Sequence, residues 1–333
     1  MDLRPHSEVF RRKPGMTESS CRQFHVLIVG AGHMGTIHAR RILSSPYLKL
    51  AAIIDPNEGR GSELARSVDT VWSPYPDPML DSADAAIIAV PTTRHYDVAR
   101  PMLKAGLHLL VEKPLTSTLE ESRLLVHEAE SLDRVLHAGH VEWFNPVIRT
   151  ALSQTQYPLR FHAQREGFLR HSTADVDVVW DLMLHDLHIL LSLLDGEMPA
   201  SIKAKGERTI SKTCDWAEAQ LEFSSGCIAT LIANRVSNER QRRIRIEQQN
   251  ETLDLDLLSH TLSITVRAER TITPIEVSPA DAITAEHTAF AHAIAGHPHD
   301  GVTAKSILPT LELASQISTV LSESQPVKTP AGR

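Results

Sequence analysis

Asp181, His185 and His188 stand in an otherwise apolar run, WDLMLHDLHILL, at residues 180–191. Spacings of four and three put these side chains on roughly one helical face, with Asp186 turned off it. Such a set can ligate a metal, can be buried and hydrogen-bonded for structure alone, or can move protons. The metal reading lacks a further ligand at a recognisable spacing, so no metal is expected. A lysine supplies a second lead. The apolar run 109–111 leads straight into Glu112, Lys113 and Pro114. Ligands of open α/β sheets bind at strand carboxyl ends, which makes Lys113 a better candidate than a lysine on a helix surface. An imidazole titrating near neutrality and a lysine together suit removal of a hydroxyl proton and stabilisation of the alkoxide, and the sequence leaves open which of His185 and Lys113 takes the proton.

The elements that must hold these groups follow from apolar patterning. Between residues 24 and 145, short apolar runs (26–29, 48–54, 85–90, 109–111 and 135–138) alternate with helix-length amphipathic segments. Continuous apolar strands imply a parallel sheet covered on both faces, hence a doubly wound α/β unit. The first run opens into Gly30, Gly32, His33, Met34 and Gly35, a GxGxxG at a helix start. Gly30 permits the turn, Gly32 the approach of a pyrophosphate, and Gly35 close helix–strand packing. The next strand ends at Asp55, where a carboxylate accepts ribose hydroxyls and disfavours a 2′-phosphate. A dinucleotide is expected, NAD rather than NADP, with Arg60 nearby leaving room for both.

After Pro146 the pattern changes. Residues 159–166 suit a strand, 178–194 a long helix, and 201–276 shows period-two alternation, as in Ala217, Ala219, Leu221 and Phe223. That alternation predicts hairpins of a mainly antiparallel sheet, followed by helices over 280–295 and 303–323. The expected division is an extension at 1–22, a nucleotide-binding domain at 23–146, an α+β domain at 147–325 and a tail at 326–333. His287, His292, His297 and His299 have irregular spacing and read as surface or loop residues.

The 333 residues carry a formal charge of −7, which argues against nucleic acid or an anionic membrane as partner. No run is long enough for membrane insertion, and residues 1–20 lack the apolar segment of a secretory signal. Three cysteines without CxxC spacing fit a reducing cytoplasm.

Taken in order, VGAGHMG, the strand end at Asp55, AVPTTRH, VEKP, GHVEWFNP and the D-x-x-x-H of Asp181 and His185 resemble the Gfo/Idh/MocA oxidoreductases over residues 24–322. The resemblance implies an N-terminal Rossmann domain and a C-terminal domain whose large open sheet forms a homodimer or homotetramer. It implies Lys113, Asp181 and His185 as catalytic residues, and Pro91, Thr92, His95 and Glu112 beside the cofactor. GHVEWFNP with Arg165, Gly167 and Arg170 is most similar to the UDP-N-acetylglucosamine 3-dehydrogenases of that family, which act ahead of a PLP-dependent aminotransferase in lipid A diamino-sugar synthesis. Trp143 stands where relatives carry Arg. Glu142, Trp143, Asn145, Arg165, Arg170 and His188 are then substrate-side candidates, the two arginines as pyrophosphate ligands. A free-sugar or inositol dehydrogenase and a non-catalytic NAD-binding regulator are the competing readings.

Overall fold

The computed structural model describes residues 22–169 and 176–324. The first half builds a six-stranded, all-parallel sheet from β1 (Phe24–Val29), β2 (Leu48–Ile54), β3 (Val71–Ser73), β4 (Ala85–Ile88), β5 (His108–Glu112) and β6 (Leu136–Gly139). Its strand order is β3-β2-β1-β4-β5-β6. The order reverses between β1 and β4, so their carboxyl ends open a crevice where helices leave to opposite faces. The strands are buried on both sides, Val26, Leu27, Ile28 and Ala85 to Ile88 being fully so, which is why they read as unbroken apolar runs. The crossovers are α1 (His33–Ile42), α2 (Glu58–Ser67), α3 (His95–Lys104) and α4 (Leu119–Ser131). Asn57 and Thr118 cap α2 and α4 by accepting the N–H of Arg60 and Glu121. The three-residue β3 has no counterpart among the apolar runs read from the sequence.

The second half follows α5 (Pro146–Gln154). It forms an eight-stranded sheet from β7 (Arg160–Glu166), β8 (Ser201–Glu207), β9 (Trp216–Glu222), β10 (Ile228–Asn234), β11 (Gln241–Glu247), β12 (Glu251–Asp256), β13 (Thr261–Val266) and β14 (Thr271–Ile275). The order is β14-β13-β12-β11-β7-β10-β9-β8, antiparallel except for the β7–β10 pair. One face packs on helices through residues such as Phe161, Ala163, Leu221, Leu231 and Ile246; the other carries cross-strand ion pairs including Arg245–Asp254 and Lys205–Glu218.

The helix expected over 178–194 is divided. Val179–Met183 forms a π-turn, with the Leu184 N–H bonded to the Val179 carbonyl, and α6 (Leu184–Leu193) continues from it. Two later helices, α7 (Ala282–Ile294) and α8 (Leu308–Ser324), close the chain. The line at residue 146 separates the sheets but not the helical layers. Phe290 and Ala291 of α7 belong to the core under β1, β2 and β4. Residues 302–304 cover the β6 edge, with Ala138 N–H bonded to Val302 O and Ala304 N–H to Leu136 O.

Candidate active site

The glycine loop has the shape that a dinucleotide needs. Gly30 has φ +102°, and a Cβ there would lie 2.5 Å from Ala89 O at the end of β4. A Cβ on Gly35 would lie 1.8 Å from Gly30 O, so the helix can start this close to the strand only with glycine. Gly32 differs: its Cβ would meet nothing within 4 Å, and as N-cap of α1 it gives the helix no side-chain acceptor. Open space lies over the first N–H groups of a helix, which is the cradle for a pyrophosphate. His33 is exposed and Met34 half-buried at this mouth. The residues fit the cofactor.

Lys113 leaves the carboxyl end of β5 through a cis Lys113–Pro114 peptide. Its Nζ donates to Asp181 twice, to the main-chain carbonyl at 2.6 Å and to Oδ1 at 3.1 Å. The π-turn that presents Asp181 is fixed from below, where Asp177 accepts the N–H groups of Val179 and Trp180 and the hydroxyl of Ser318 on α8. Arg235, 1% exposed, stands behind Asp181 with Nη1 4.0 Å from Oδ2. Its other contacts include Asp215, Val176 O, Ser211 and Thr213. Burial would raise the Asp215 pKa, but the Ser211 hydroxyl and the N–H groups of Ile210, Ser211 and Thr209 outweigh it and hold the carboxyl below the usual range. Charges therefore alternate through Asp215, Arg235, Asp181 and Lys113.

His185 lies one turn beyond Asp181. Burial, then the charges of Arg165 and Lys113, push its pKa well below the ordinary value, so it does not titrate near neutrality as the sequence suggests. His185 Nδ1 is buried and has no partner. His140, at the carboxyl end of β6, packs edge-on against His185 and His188, and Trp143 covers His188 at 5.1 Å. Burial brings His188 to about 4 and, with the neighbouring His188 and Lys113, carries His140 well below its usual value. The result is a pocket wall of neutral imidazoles beside one charged lysine.

Several expected ligands have partners within the protein. Arg165 lies on the core face of β7, two residues beyond Ala163, and donates Nε and Nη2 to Asp186 at 3.0 and 2.8 Å. Glu142 adds a contact at 3.5 Å, so this guanidinium is closed to a pyrophosphate. Arg170 lies outside the described residues. Asn145 caps α5 through the Val147 N–H. Trp143 donates Nε1 to Asp300 O and lies under Arg149. Asp55, 1% exposed, accepts from Ala31 N, Asn57 N and Arg60, so it braces the glycine loop. His95 is buried between Pro114 O and Val90 O and ties two crevice loops together, while Thr92 O accepts from Ser117. Pro91 is exposed beside them. Glu112 meets His38 on α1, 2.8 Å away, and accepts the Lys113 N–H.

His287 is not a surface residue. It is 1% exposed, and its Nε2 lies 2.8 Å from His38 Nδ1. His140, Asp186, Arg235 and Arg242 also belong to the site and were not singled out by sequence. His140 had a signal, since it follows a strand end as Asp55 and Lys113 do. Arg235 and Arg242 had another, an arginine continuing the core-facing alternation of β10 and β11.

The chain that carries this crevice is similar in sequence and fold to known proteins. The model of the oxidoreductase family with an NAD-binding Rossmann fold matches residues 24–140, and that of the Gfo/Idh/MocA C-terminal domain residues 148–253. The UDP-N-acetylglucosamine 3-dehydrogenase of Acidithiobacillus ferrooxidans is 34% identical over 84% of this chain and 93% of its own. The chain belongs to the Gfo/Idh/MocA oxidoreductase family. A solved structure of that enzyme superimposes with a TM-score of 0.84 at 31% identity, covering 91% of this chain and 99% of the other. The scyllo-inositol 2-dehydrogenase (NAD(+)) of Bacillus subtilis is 28% identical over 65% of this chain and 68% of its own. As a family member the chain is an oxidoreductase with an NAD-binding domain. Among the described residues, no helix is long and apolar enough to cross a membrane.

Proposed function

We propose that this family member oxidises the C3 hydroxyl of UDP-N-acetylglucosamine to the 3-keto sugar nucleotide, a substrate for a PLP-dependent aminotransferase in lipid A synthesis. The observation that carries the reading is the joint placement of Lys113, Asp181 and His185 at the glycine-loop crevice, in a chain spanning 93% of a 3-dehydrogenase. When bound at the glycine loop of Gly30, Gly32 and Gly35, NAD⁺ would supply the acceptor for the hydride that leaves the carbinol carbon. Asp55, ionised and held against Ala31 by Arg60, disfavours a 2′-phosphate and supports NAD over NADP. Arg60 neutralises part of that repulsion, so NADP is a weaker ligand rather than an excluded one.

Lys113 has three N–H donors, two of them on Asp181, and the third serves the reacting oxygen. It stabilises the negative charge that develops there, within a site of low dielectric. His185, kept neutral by burial and by Arg165, accepts the hydroxyl proton. With Nδ1 buried, that proton is taken at Nε2. Asp181 orients the lysine. Pro91 and Thr92 line the cofactor side, and His188 and Trp143 line the sugar side. The exposed face of the eight-stranded sheet joins copies of the chain into a homodimer or homotetramer.

The test is formation of reduced nicotinamide, read by absorbance, from NAD⁺ and UDP-N-acetylglucosamine with an aminotransferase removing the ketone. N-acetylglucosamine and scyllo-inositol serve as competing substrates. The sugar nucleotide should have the highest kcat/KM, and Lys113→Ala and His185→Ala should each lower kcat by about 10²–10⁴-fold while NAD⁺ affinity holds. No turnover of the sugar nucleotide by intact protein removes the substrate assignment. Near-normal turnover in either variant removes that residue from the chemistry.

A further inference from the structure

Arg242 has no task in the scheme above. It lies on the core-facing side of β11, directly across the ladder from Arg165 on β7. Two like charges in register repel, and two carboxylates offset them unequally. Asp186 gives both oxygens to Arg165, whereas Glu142 divides its own, with Oε1 2.8 Å from Arg242 Nη1 and Oε2 3.5 Å from Arg165. Among the described residues, Glu142 is the sole acceptor for the Arg242 guanidinium, so Nε and Nη2 stay open. The side chain keeps 38% of its surface exposed, where that of Arg165 keeps 3%. It is also close enough to His185 to help hold that imidazole neutral. Burial and the charge of Arg165 disfavour the charged form of Arg242, and the two carboxylates offset this only in part. An arriving anion completes the compensation.

We propose that Arg242 binds the diphosphate of the nucleotide-sugar substrate and so sets the preference for nucleotide sugars over free sugars and cyclitols; this rests on the substrate reading above. The Nε–Nη2 edge of a guanidinium is a fork that matches two phosphate oxygens, which a lysine cannot reproduce. Glu142 fixes the fork by holding Nη1. Arg165, closed by Asp186, is the rigid support beside it.

Titration calorimetry with UDP and with uridine, on the full chain carrying bound NAD⁺, tests the assignment. Arg242→Met should weaken UDP binding by about 10–100-fold and leave uridine binding within about twofold, since only UDP carries the diphosphate. KM for UDP-N-acetylglucosamine should rise in step, with a much smaller change in kcat. Arg242→Lys keeps the charge without the fork and should fall between. It also decides the matter if the methionine variant melts early. UDP binding equal to wild type in either folded variant overturns the proposal, as does an equal loss of UDP and uridine. A wild-type chain that neither binds UDP nor oxidises the sugar nucleotide instead removes the substrate reading, and this assignment with it.

Discussion

A proton acceptor works only in its uncharged form, and a residue beside it that penalises the charged form widens the pH range over which it acts. His185 has this help from burial first, and then from the cations Arg165 and Lys113. The sign is definite. As pH falls, the imidazole stays neutral until its lowered pKa is reached, so the rate is lost only well below the ordinary histidine range of about 6.5. The kcat profile for the sugar nucleotide should be flat from pH 8 down through 6.5, with its acid limb at lower pH. A limb centred at or above 6.5 in steady-state rates overturns the role of His185 as acceptor. The low pKa also makes His185 a weak base. In the proposed mechanism the alkoxide charge is therefore met by Lys113, whose two bonds to Asp181 fix where the third N–H points.

Two elements make that geometry, and each departs from the simplest local structure. The π-turn at Val179–Met183 widens the helix at the residue that holds Lys113, a use that π-turns have at functional sites. Helix α7 returns from the second half to buttress the first. There Glu112 Oε1 meets His38 Nε2 and His38 Nδ1 meets His287 Nε2, each at 2.8 Å, so a buried chain of hydrogen bonds ties α7 to α1 and β5. His287→Leu leaves His38 Nδ1 buried without its partner and should cost about 1–3 kcal/mol in urea unfolding. His38→Leu with His287→Leu should cost less than the sum of the single variants, because no orphan is left between those two. Additive losses overturn the link. None of this chain was legible in the sequence, because His38 and His287 are 249 positions apart and neither sits on a motif. Lys113 and Asp181 were legible, one from a strand end and the other from helical spacing. Strands β1, β2, β4, β5 and β6 announced themselves as doubly buried runs, whereas β3 has three residues and a single paired edge. The Arg165–Asp186 pair is not legible, since Asp186 lies on the helix face that the spacing of Asp181, His185 and His188 leaves out.

The whole molecule carries an unusual load of neutral imidazole, and its stability should depend on pH accordingly. His95, His137, His140, His185, His188 and His287 are buried across both halves, and burial lowers the pKa of each, to about 4 for His188 and about 3 for His137. In the unfolded chain they titrate near 6.5. Below that pH the unfolded state binds more protons than the folded one. Stability is therefore complete about a pH unit above 6.5 and is lost as pH falls through 6.5 toward the lowered values. Glu286 opposes this, because burial raises its pKa, and a raised carboxyl favours the folded state at low pH and ceases to do so as pH rises through it. One such group stands against six. Each histidine contributes up to about 1.4 kcal/mol per pH unit, which outweighs the relief of self-repulsion as a chain of formal charge −7 approaches neutrality. Urea midpoints measured at pH 7.5, 6.5 and 5.5 should fall modestly over the first interval and roughly three times as far over the second. A midpoint that holds or rises at pH 5.5 would mean that these imidazoles are not neutral in the folded protein.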